Sequence, residues 1–240
     1  MRYFRAIVFW TAFWIITLIL FLILCVLRPI FYVLRIPNFD SLCHSFAVIW
    51  SRLIFFFTPG WSISVAGKEH IPSEGGFVIV SNHESLTDIW AIFCINVQFR
   101  WLSKAEVFKV PVVGTAMHWA RYIPIKRGNK ESHAQSFAAS VATIKRGVPM
   151  LYFPEGTRSD DGNMREFKIG AFKLAADTNT FVLPIVVKGT RQLIPKGSWL
   201  PARSHVSVKV LAPVYRIDNE DMQAFASRTR ALILGEFQKI

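Results

Sequence analysis

Two long apolar stretches near the amino terminus dominate the hydropathy pattern of this chain. The first, residues 6–27, contains no charged residue, and its 22 positions are enough to cross a bilayer core of about 30 Å. Arg28 and Pro29 are expected to end it. The second, residues 42–57, holds one permanent charge, Arg52, and is too short and interrupted to predict a span by itself. The pattern predicts that residues 1–58 attach the chain to a membrane.

The arginines around these stretches do not select a membrane side, because they flank the first stretch at both ends. They are Arg2, Arg5, Arg28, Arg35 and Arg52. Two helices in a hairpin that dips into one leaflet would place all of them on the cytoplasmic face, which is the arrangement we expect. The alternative is a spanning helix followed by a core helix. A signal peptide fits poorly, because the apolar run is long and no small-residue cleavage site follows it.

Shorter apolar runs alternate with segments of helical periodicity along the rest of the chain. Predicted strands cover residues 61–65, 77–80, 99–103, 122–125, 150–153, 181–187 and 206–210. Predicted helices cover residues 89–95, 107–119 with a break near Pro111, 132–145, 169–176 and 218–238. This alternation is typical of α/β proteins whose parallel strands are joined by crossovers. We therefore expect residues 59–240 to form one α/β domain, with a mixed, mostly parallel sheet flanked by helices, after an N-terminal membrane-embedded helical segment.

The chain is strongly basic, with a formal net charge of +12. Residues 1–58 contribute +4 and residues 59–240 contribute +8. A basic domain tethered to apolar helices favours contact with anionic lipid headgroups. Nucleic acid is not predicted as a partner, because the basic residues are dispersed and form no recognition motif. Neither the three cysteines nor the six histidines have metal-ligand spacing, so no metal or other cofactor is predicted.

Polar groups follow several of the predicted strands directly. Asn82 and His83 follow one strand, Lys104 ends a second, Arg127 follows a third, and residues 155–158 follow a fourth. In parallel α/β sheets, ligands bind beyond the carboxyl ends of the strands. If these strands are neighbours, a base and several cations meet at one rim. Such a site would deprotonate one group while it holds an anion.

His83 and Asp88 form the first motif, at a turn between a predicted strand and a predicted helix. An imidazole works as a base when one ring nitrogen accepts the proton and a carboxylate holds the other nitrogen. The spacing therefore indicates a base and the residue that orients it. The alternative is an ordinary turn histidine without a catalytic role.

The run Phe153-Pro154-Glu155-Gly156-Thr157-Arg158-Ser159 is the second motif. Gly156 permits unusual backbone dihedrals, and the N–H groups of a Gly-Thr turn together with an arginine fork suit a phosphate. In the alternative interpretation, Glu-Gly-Thr is a common turn and Arg158 pairs with Glu155.

Together, the two motifs resemble those of the glycerolipid acyltransferases of the 1-acylglycerol-3-phosphate acyltransferase type. Residues 122–127 and 182–187 resemble two less specific blocks of the same family. The resemblance implies transfer of a fatty acyl group from acyl-CoA or an acyl carrier protein thioester to the free hydroxyl of lysophosphatidic acid. It also implies a protein of the cytoplasmic membrane, with its catalytic domain on the cytoplasmic side and without a cofactor.

Roles for individual residues also follow from the resemblance. His83 would be the general base and Asp88 would hold its second nitrogen. The implied substrate-binding residues are Asn82, Lys104, Arg127, Glu155, Gly156, Thr157 and Arg158, of which Lys104, Arg127 and Arg158 would hold the acceptor phosphate. Two alternatives stay open, namely the same reaction on glycerol 3-phosphate or a lyso-aminolipid, and a non-enzymatic, basic, membrane-tethered lipid-binding module.

Overall fold

A computed structural model describes residues 2–158, 162–195 and 197–240. The strands are β1 (Trp61–Ala66), β2 (Val78–Ser81), β3 (Arg100–Lys104), β4 (Ile123–Ile125), β5 (Met150–Tyr152), β6 (Val182–Lys188) and β7 (Ser204–Val210). The helices are α1 (Arg2–Val33), α2 (Phe39–Phe57), α3 (Asp88–Phe93), α4 (Val113–Trp119), α5 (Lys130–Lys145), α6 (Gly170–Asp177), α7 (Thr190–Leu193) and α8 (Met222–Lys239). Short 3-10 turns lie at Lys68–His70 and Val107–Lys109.

The strands form one sheet in the order β1-β7-β6-β2-β5-β3-β4. Neighbouring strands are parallel except β6 and β7, which are antiparallel. This arrangement confirms the prediction of a mixed, mostly parallel sheet. The four strands expected to carry the site, β2, β5, β3 and β4, are consecutive and parallel, so their carboxyl ends share one rim of the sheet.

Each central strand is buried on both faces, as expected when helices cover both sides of a parallel sheet. Along β2, Ile79 faces one apolar layer while Val78 and Val80 face the other. The layer that contains Ile79 includes residues of α1 to α4, and the opposite layer includes residues of α5, α6 and α8. Successive side chains of a strand therefore pack into the two apolar layers in turn, and polar groups lie at the strand ends.

The first helix runs farther than the sequence predicts. It was expected to end at Arg28 and Pro29, but it continues to Val33. A proline removes one backbone donor, and the hydrogen bond from Leu34 N–H to Ile30 O still closes the following turn at 2.9 Å. The chain leaves the helix only at Arg35, whose φ of 52° is left-handed.

The last helix starts later than predicted, at Met222 instead of residue 218. Its start is set by a side-chain cap, because Asp221 Oδ1 accepts hydrogen bonds from the N–H groups of Gln223 and Ala224. Such a cap satisfies donors that have no partner within the helix.

Both α1 and α2 are long and apolar enough to cross a membrane, judged by length and composition. Phe9, Phe13 and Leu24 of α1 are buried in the protein, whereas many of its other large apolar side chains are exposed. The exposed ones include Ile7, Trp14, Leu18, Leu22 and Val26. This exposed apolar surface is the part of α1 that a bilayer would cover.

Candidate active site

The His83 imidazole lies at the carboxyl end of β2, beside the amino terminus of α3. Its Nδ1 is 2.8 Å from Asp88 Oδ2, and its side chain is 17% exposed while Asp88 is fully buried. Since the carboxylate can only accept, Nδ1–H is the donor and the neutral ring has its lone pair on Nε2. The structure thus brings His83 and Asp88 together in the geometry of a base and its orienting residue.

Asp88 is held by several donors besides the imidazole. Its Oδ2 also accepts from the backbone N–H groups of Glu84 and Ser85, at 2.8 and 2.9 Å, and Oδ1 accepts from the Thr190 hydroxyl. These hydrogen bonds fix the orientation of the carboxylate. Asp88 is therefore a rigid carboxylate against which the histidine ring is positioned.

The sequence motifs did not identify Thr190 as a site residue. It lies in α7, directly after β6, and is fully buried. Residues 188–191 follow a buried strand in the same way as Asn82 and His83, so the strand-end rule could have found them. The order of the strands was needed to show that β6 lies next to β2.

Replacing Thr190 with valine should lower kcat roughly tenfold, because it removes a donor that holds Asp88 in register with the imidazole. The loss of one buried, charge-assisted hydrogen bond should also reduce the free energy of unfolding by about 1–3 kcal/mol. Steady-state kinetics and urea denaturation would measure both effects. Thr190→Ser keeps the hydroxyl and should stay near the native values, and equal losses in the two variants would contradict the role of the hydroxyl.

Glu155 joins the two motifs through the backbone. Its Oε1 accepts from His83 N–H at 2.7 Å and its Oε2 accepts from Arg165 N–H at 2.9 Å. Burial raises the pKa of this carboxyl, and the two N–H donors oppose that increase. The ring of Phe153 stacks on the imidazole with a centroid distance of 4.2 Å. The second motif thus holds His83 through its backbone N–H and through its ring.

Asn82 is also engaged with the backbone. Its Nδ2 donates to Val187 O at 2.8 Å and its Oδ1 accepts from Val187 N–H at 2.9 Å. This pair of bonds extends the pairing of β2 with β6 by one residue. The contact of Asn82 with substrate stays a prediction. In the structure its side chain joins β2 to β6.

Gly156 has a φ of +72°, which a residue with a side chain rarely adopts. A Cβ at this position would lie 2.8 Å from Lys168 Nζ, so the glycine also leaves space for that amine. Gly156 and Thr157 are partly exposed and lie in the loop that follows β5.

The three cations predicted to bind phosphate are spread along the rim. Arg158 follows β5, the neighbour of β2, whereas Lys104 ends β3 and Arg127 follows β4. With strands about 4.8 Å apart, β3 and β4 lie about 10 and 14 Å from β2. Lys104 and Arg127 are exposed and Arg158 is partly buried. The prediction that they hold one phosphate is not tested by this arrangement. The neighbouring residue Ser159 lies outside the described residues.

A cavity of about 220 Å³ opens beside the imidazole. Among the residues that the structure describes, its lining does not include Lys104, Arg127 or Arg158. The lining residues are Asn82, His83, Glu84, Glu155, Gly162, Asn163, Met164, Leu234, Phe237 and Gln238. The sequence analysis gave helix α8 no functional role, yet its last turns form one wall of this cavity.

Glu84 is a half-buried residue that lines the same cavity. Burial and the nearby Asp88 raise its pKa from 4.5 to about 7, against the opposing effects of the Gly189 backbone, Arg191 and Lys188. Within the described part of the chain, its Oε2 has no hydrogen-bond partner. The side chain therefore holds a proton up to about neutral pH, one residue from His83.

The free energy of unfolding should fall as the pH rises from 4.5 to about 7, because folded Glu84 keeps its proton in this range while the unfolded carboxyl loses it. Glu84→Gln should remove this part of the pH dependence. Urea midpoints at about pH 5 and about pH 8 would measure it. The exposed Glu74 supplies the matched control, Glu74→Gln. If Glu84→Gln and Glu74→Gln kept the same slope as the native protein, the raised pKa would be wrong.

The chain is similar in sequence to known acyltransferases. A family model described as acyltransferase matches residues 62–188. A chloroplastic 1-acyl-sn-glycerol-3-phosphate acyltransferase of Arabidopsis thaliana is 34% identical over 178 residues, which cover 74% of this chain and 49% of the relative. The 1-acyl-sn-glycerol-3-phosphate acyltransferase alpha of Homo sapiens is 30% identical over 191 residues, which cover 75% and 65%. The chain thus spans about half the length of the chloroplastic relative.

Among solved structures, the 1-acyl-sn-glycerophosphate acyltransferase PlsC from Thermotoga maritima matches with a TM-score of 0.78 at 24% identity. The match covers 100% of this chain and 99% of that chain, and it concerns the fold. The region matched by the family model is more than half of the chain and contains His83, Asp88 and Glu155. The chain therefore belongs to the acyltransferase family.

Proposed function

We propose that this protein transfers a fatty acyl group from an acyl-CoA or acyl carrier protein thioester to the free hydroxyl of lysophosphatidic acid, giving phosphatidic acid. The observation that carries the proposal is the His83–Asp88 pair, with Nε2 available beside a cavity. The curated relatives named 1-acyl-sn-glycerol-3-phosphate acyltransferase support lysophosphatidic acid as the acceptor.

The reaction needs a base because an alcohol is a weak nucleophile until its proton is removed. His83 Nε2 takes the proton as the acceptor oxygen attacks the thioester carbonyl, and the new C–O bond gives a tetrahedral intermediate. When the C–S bond breaks, the imidazolium returns the proton to the leaving thiolate. Asp88 stabilises the imidazolium in the interval, and no acyl-enzyme forms.

The acceptor phosphate is assigned to the cations on the β5 side of the base. Arg158 is nearest to β2 in strand order, and Lys104 and Arg127 lie farther along the same rim. Guanidinium and ammonium groups make charge-assisted hydrogen bonds with phosphate oxygens. In this proposal, Asn82 and residues 155–157 shape the pocket for the glycerol part of the acceptor.

An apolar cavity of about 270 Å³ between α1, α2, α3, α4 and β3 is suited to a fatty acyl chain. Leu86, which lies between His83 and Asp88 in sequence, forms part of its wall together with Trp90, Trp101 and Met117. Burial of methylene groups there would contribute about 0.8 kcal/mol each. The cavity adjoins the helices that we assign to the membrane, from which the lipid acceptor would arrive.

We assign residues 1–58 to the membrane as a hairpin in one leaflet and residues 59–240 to the cytoplasmic side. The soluble donor would then approach from the cytoplasm, while the acceptor and product stay in the leaflet. In this arrangement the acyl donor reaches the site from the cytoplasm and the lipid acceptor reaches it from the membrane.

Thiol release by the purified protein in detergent micelles would test the function directly. The acceptors are lysophosphatidic acid, glycerol 3-phosphate and a lyso-aminolipid, each assayed with acyl-CoA and with acyl carrier protein thioester. We expect acceptor-dependent release with lysophosphatidic acid. Faster release with another acceptor would replace the acceptor in this proposal, and the absence of release with all three would favour the lipid-binding module.

A further inference from the structure

A second cavity lined by Glu84, of about 500 Å³, lies on the β6 side of β2, opposite to Lys104, Arg127 and Arg158. Its lining comes from the end of β6, from α7 and from the start of β7, with Glu84 and Phe237 added. Glu84 and Phe237 also line the cavity beside the base, so the two cavities adjoin at these side chains. None of the roles assigned above uses this second cavity.

Two permanent cations, Lys188 and Arg191, line the second cavity. Lys188 Nζ donates to Phe237 O at 3.0 Å and lies 5.0 Å from the centre of the Phe237 ring. One terminal nitrogen of Arg191 lies 2.6 Å from the point where a Cβ would stand on Gly162, which lines the first cavity. The cations are therefore positioned at the boundary between the two cavities and not on distant surface.

The position of α7 relative to the catalytic pair is also fixed. Thr190, the residue before Arg191, donates a hydrogen bond to Asp88. Lys188 ends β6, and Asn82, the residue before His83, pairs with the backbone of Val187. Arg191 therefore follows a residue that is hydrogen-bonded to Asp88, and Lys188 follows a residue that is hydrogen-bonded to Asn82. An anion held by them would have a defined position relative to Nε2.

The transfer reaction brings together two substrates that both carry phosphate. The acceptor carries a phosphate on glycerol, and both forms of the donor carry the phosphate of the phosphopantetheine arm. In the sheet, β2 has β5 on one side and β6 on the other. The cations assigned to the acceptor phosphate lie at the ends of β5, β3 and β4. Lys188 and Arg191, at the end of β6, are on the other side of β2 and could hold the phosphate of the donor.

We propose that the cavity lined by Lys188 and Arg191 binds the phosphate of the phosphopantetheine arm of the acyl donor. The inference rests on the proposed function, since it assumes a thioester donor of this chemistry. An arginine fork and a lysine ammonium suit a phosphate group. A donor held there would place its thioester toward His83 from the β6 side while the acceptor hydroxyl approaches from the β5 side.

Direct binding tests this site without any acceptor. The probes are 4′-phosphopantetheine and pantetheine, which differ only in the phosphate, measured by calorimetry with the full chain in micelles. We expect the native protein to bind the phosphorylated probe more tightly. Lys188→Met and Arg191→Gln should each weaken its binding about tenfold, as for the loss of one charge-assisted hydrogen bond, and leave pantetheine unchanged. Arg191→Lys, which keeps the charge, should retain most of the preference.

Lys145→Gln is the matched control, because Lys145 is an exposed cation on α5 away from both cavities. Circular dichroism would establish that each variant is folded. Equal binding of the two probes to the native protein, or an unchanged preference in both folded variants, would overturn the proposal. Because no acceptor is present, these outcomes are independent of whether lysophosphatidic acid is the acceptor.

Kinetics distinguish the sources of the phosphate. If the cavity holds the phosphopantetheine phosphate, Arg191→Gln should raise KM about tenfold for acyl-CoA and for acyl carrier protein thioester alike, with KM for the acceptor unchanged. An effect confined to acyl-CoA would show that the cavity holds the nucleotide phosphates instead and would overturn the assignment. A rise in KM for lysophosphatidic acid alone would assign the cavity to the acceptor and would also overturn it.

Discussion

Replacing His83 with alanine should lower kcat for acyl transfer about 10²–10⁴-fold, the usual contribution of a general base. The variant loses Nε2, the atom proposed to take the proton from the acceptor hydroxyl, and keeps the other residues that line the cavity. The free energy of unfolding should also fall by about 1–3 kcal/mol, because the His83 ring donates a hydrogen bond to buried Asp88, so the loss of activity must be separated from unfolding by circular dichroism. Thiol release under saturating acyl-CoA and lysophosphatidic acid would measure the loss.

His133→Ala is the control for this experiment, because His133 is an exposed residue of α5. It should keep the native rate. A folded His83→Ala variant with an unchanged rate would show that another group removes the proton, and the assignment of the base would then be wrong.

Asp88→Asn should lower kcat by a similar factor, about 10²–10⁴-fold, although the two side chains have nearly the same shape. An asparagine can turn its amide toward the imidazole and donate to Nδ1. The ring would then carry its proton on Nε2 and could not accept a second one from the acceptor. The substitution also removes the negative charge that stabilises the imidazolium.

The loss in Asp88→Asn should appear in kcat more than in the KM of either substrate, because Asp88 is fully buried and does not line the cavity beside His83. Asp177→Asn, on the exposed end of α6, is the matched control and should behave as the native protein. If Asp88→Asn raised KM and left kcat unchanged, Asp88 would be a binding residue instead of the residue that orients the base.

Much of the fold follows from the hydrophobic pattern, because the central strands β2 and β6 are buried on both faces and are continuous apolar runs. The run at 181–187, for example, corresponds to β6 with a shift of one residue. The boundaries that differ depend on local hydrogen bonds. Asp221 delays the start of α8 by capping it, and the helical bonds beyond Pro29 carry α1 past the proline.

The site was less predictable than the fold. His83 and Asp88 share one turn, so their spacing in sequence was enough to predict their contact. Thr190 is 102 residues from Asp88, and only the placement of β6 beside β2 brings it to the carboxylate. The second cavity depends on the same placement and on the packing of α8. The order of strands in a sheet cannot be predicted from the local hydrophobic pattern of one sequence.

The backbone bonds around His83 also have a consequence for motion. The N–H of His83 donates to buried Glu155, and the Asn82 side chain pairs twice with Val187, so the loop is tied to neighbours on both sides of β2. Opening this loop would break these bonds together, and its amides should exchange with solvent only through large-scale unfolding. We expect the amide hydrogens of His83 and Val187 to be among the slowest to exchange for deuterium. We therefore expect His83 to be held in one position before substrate binds.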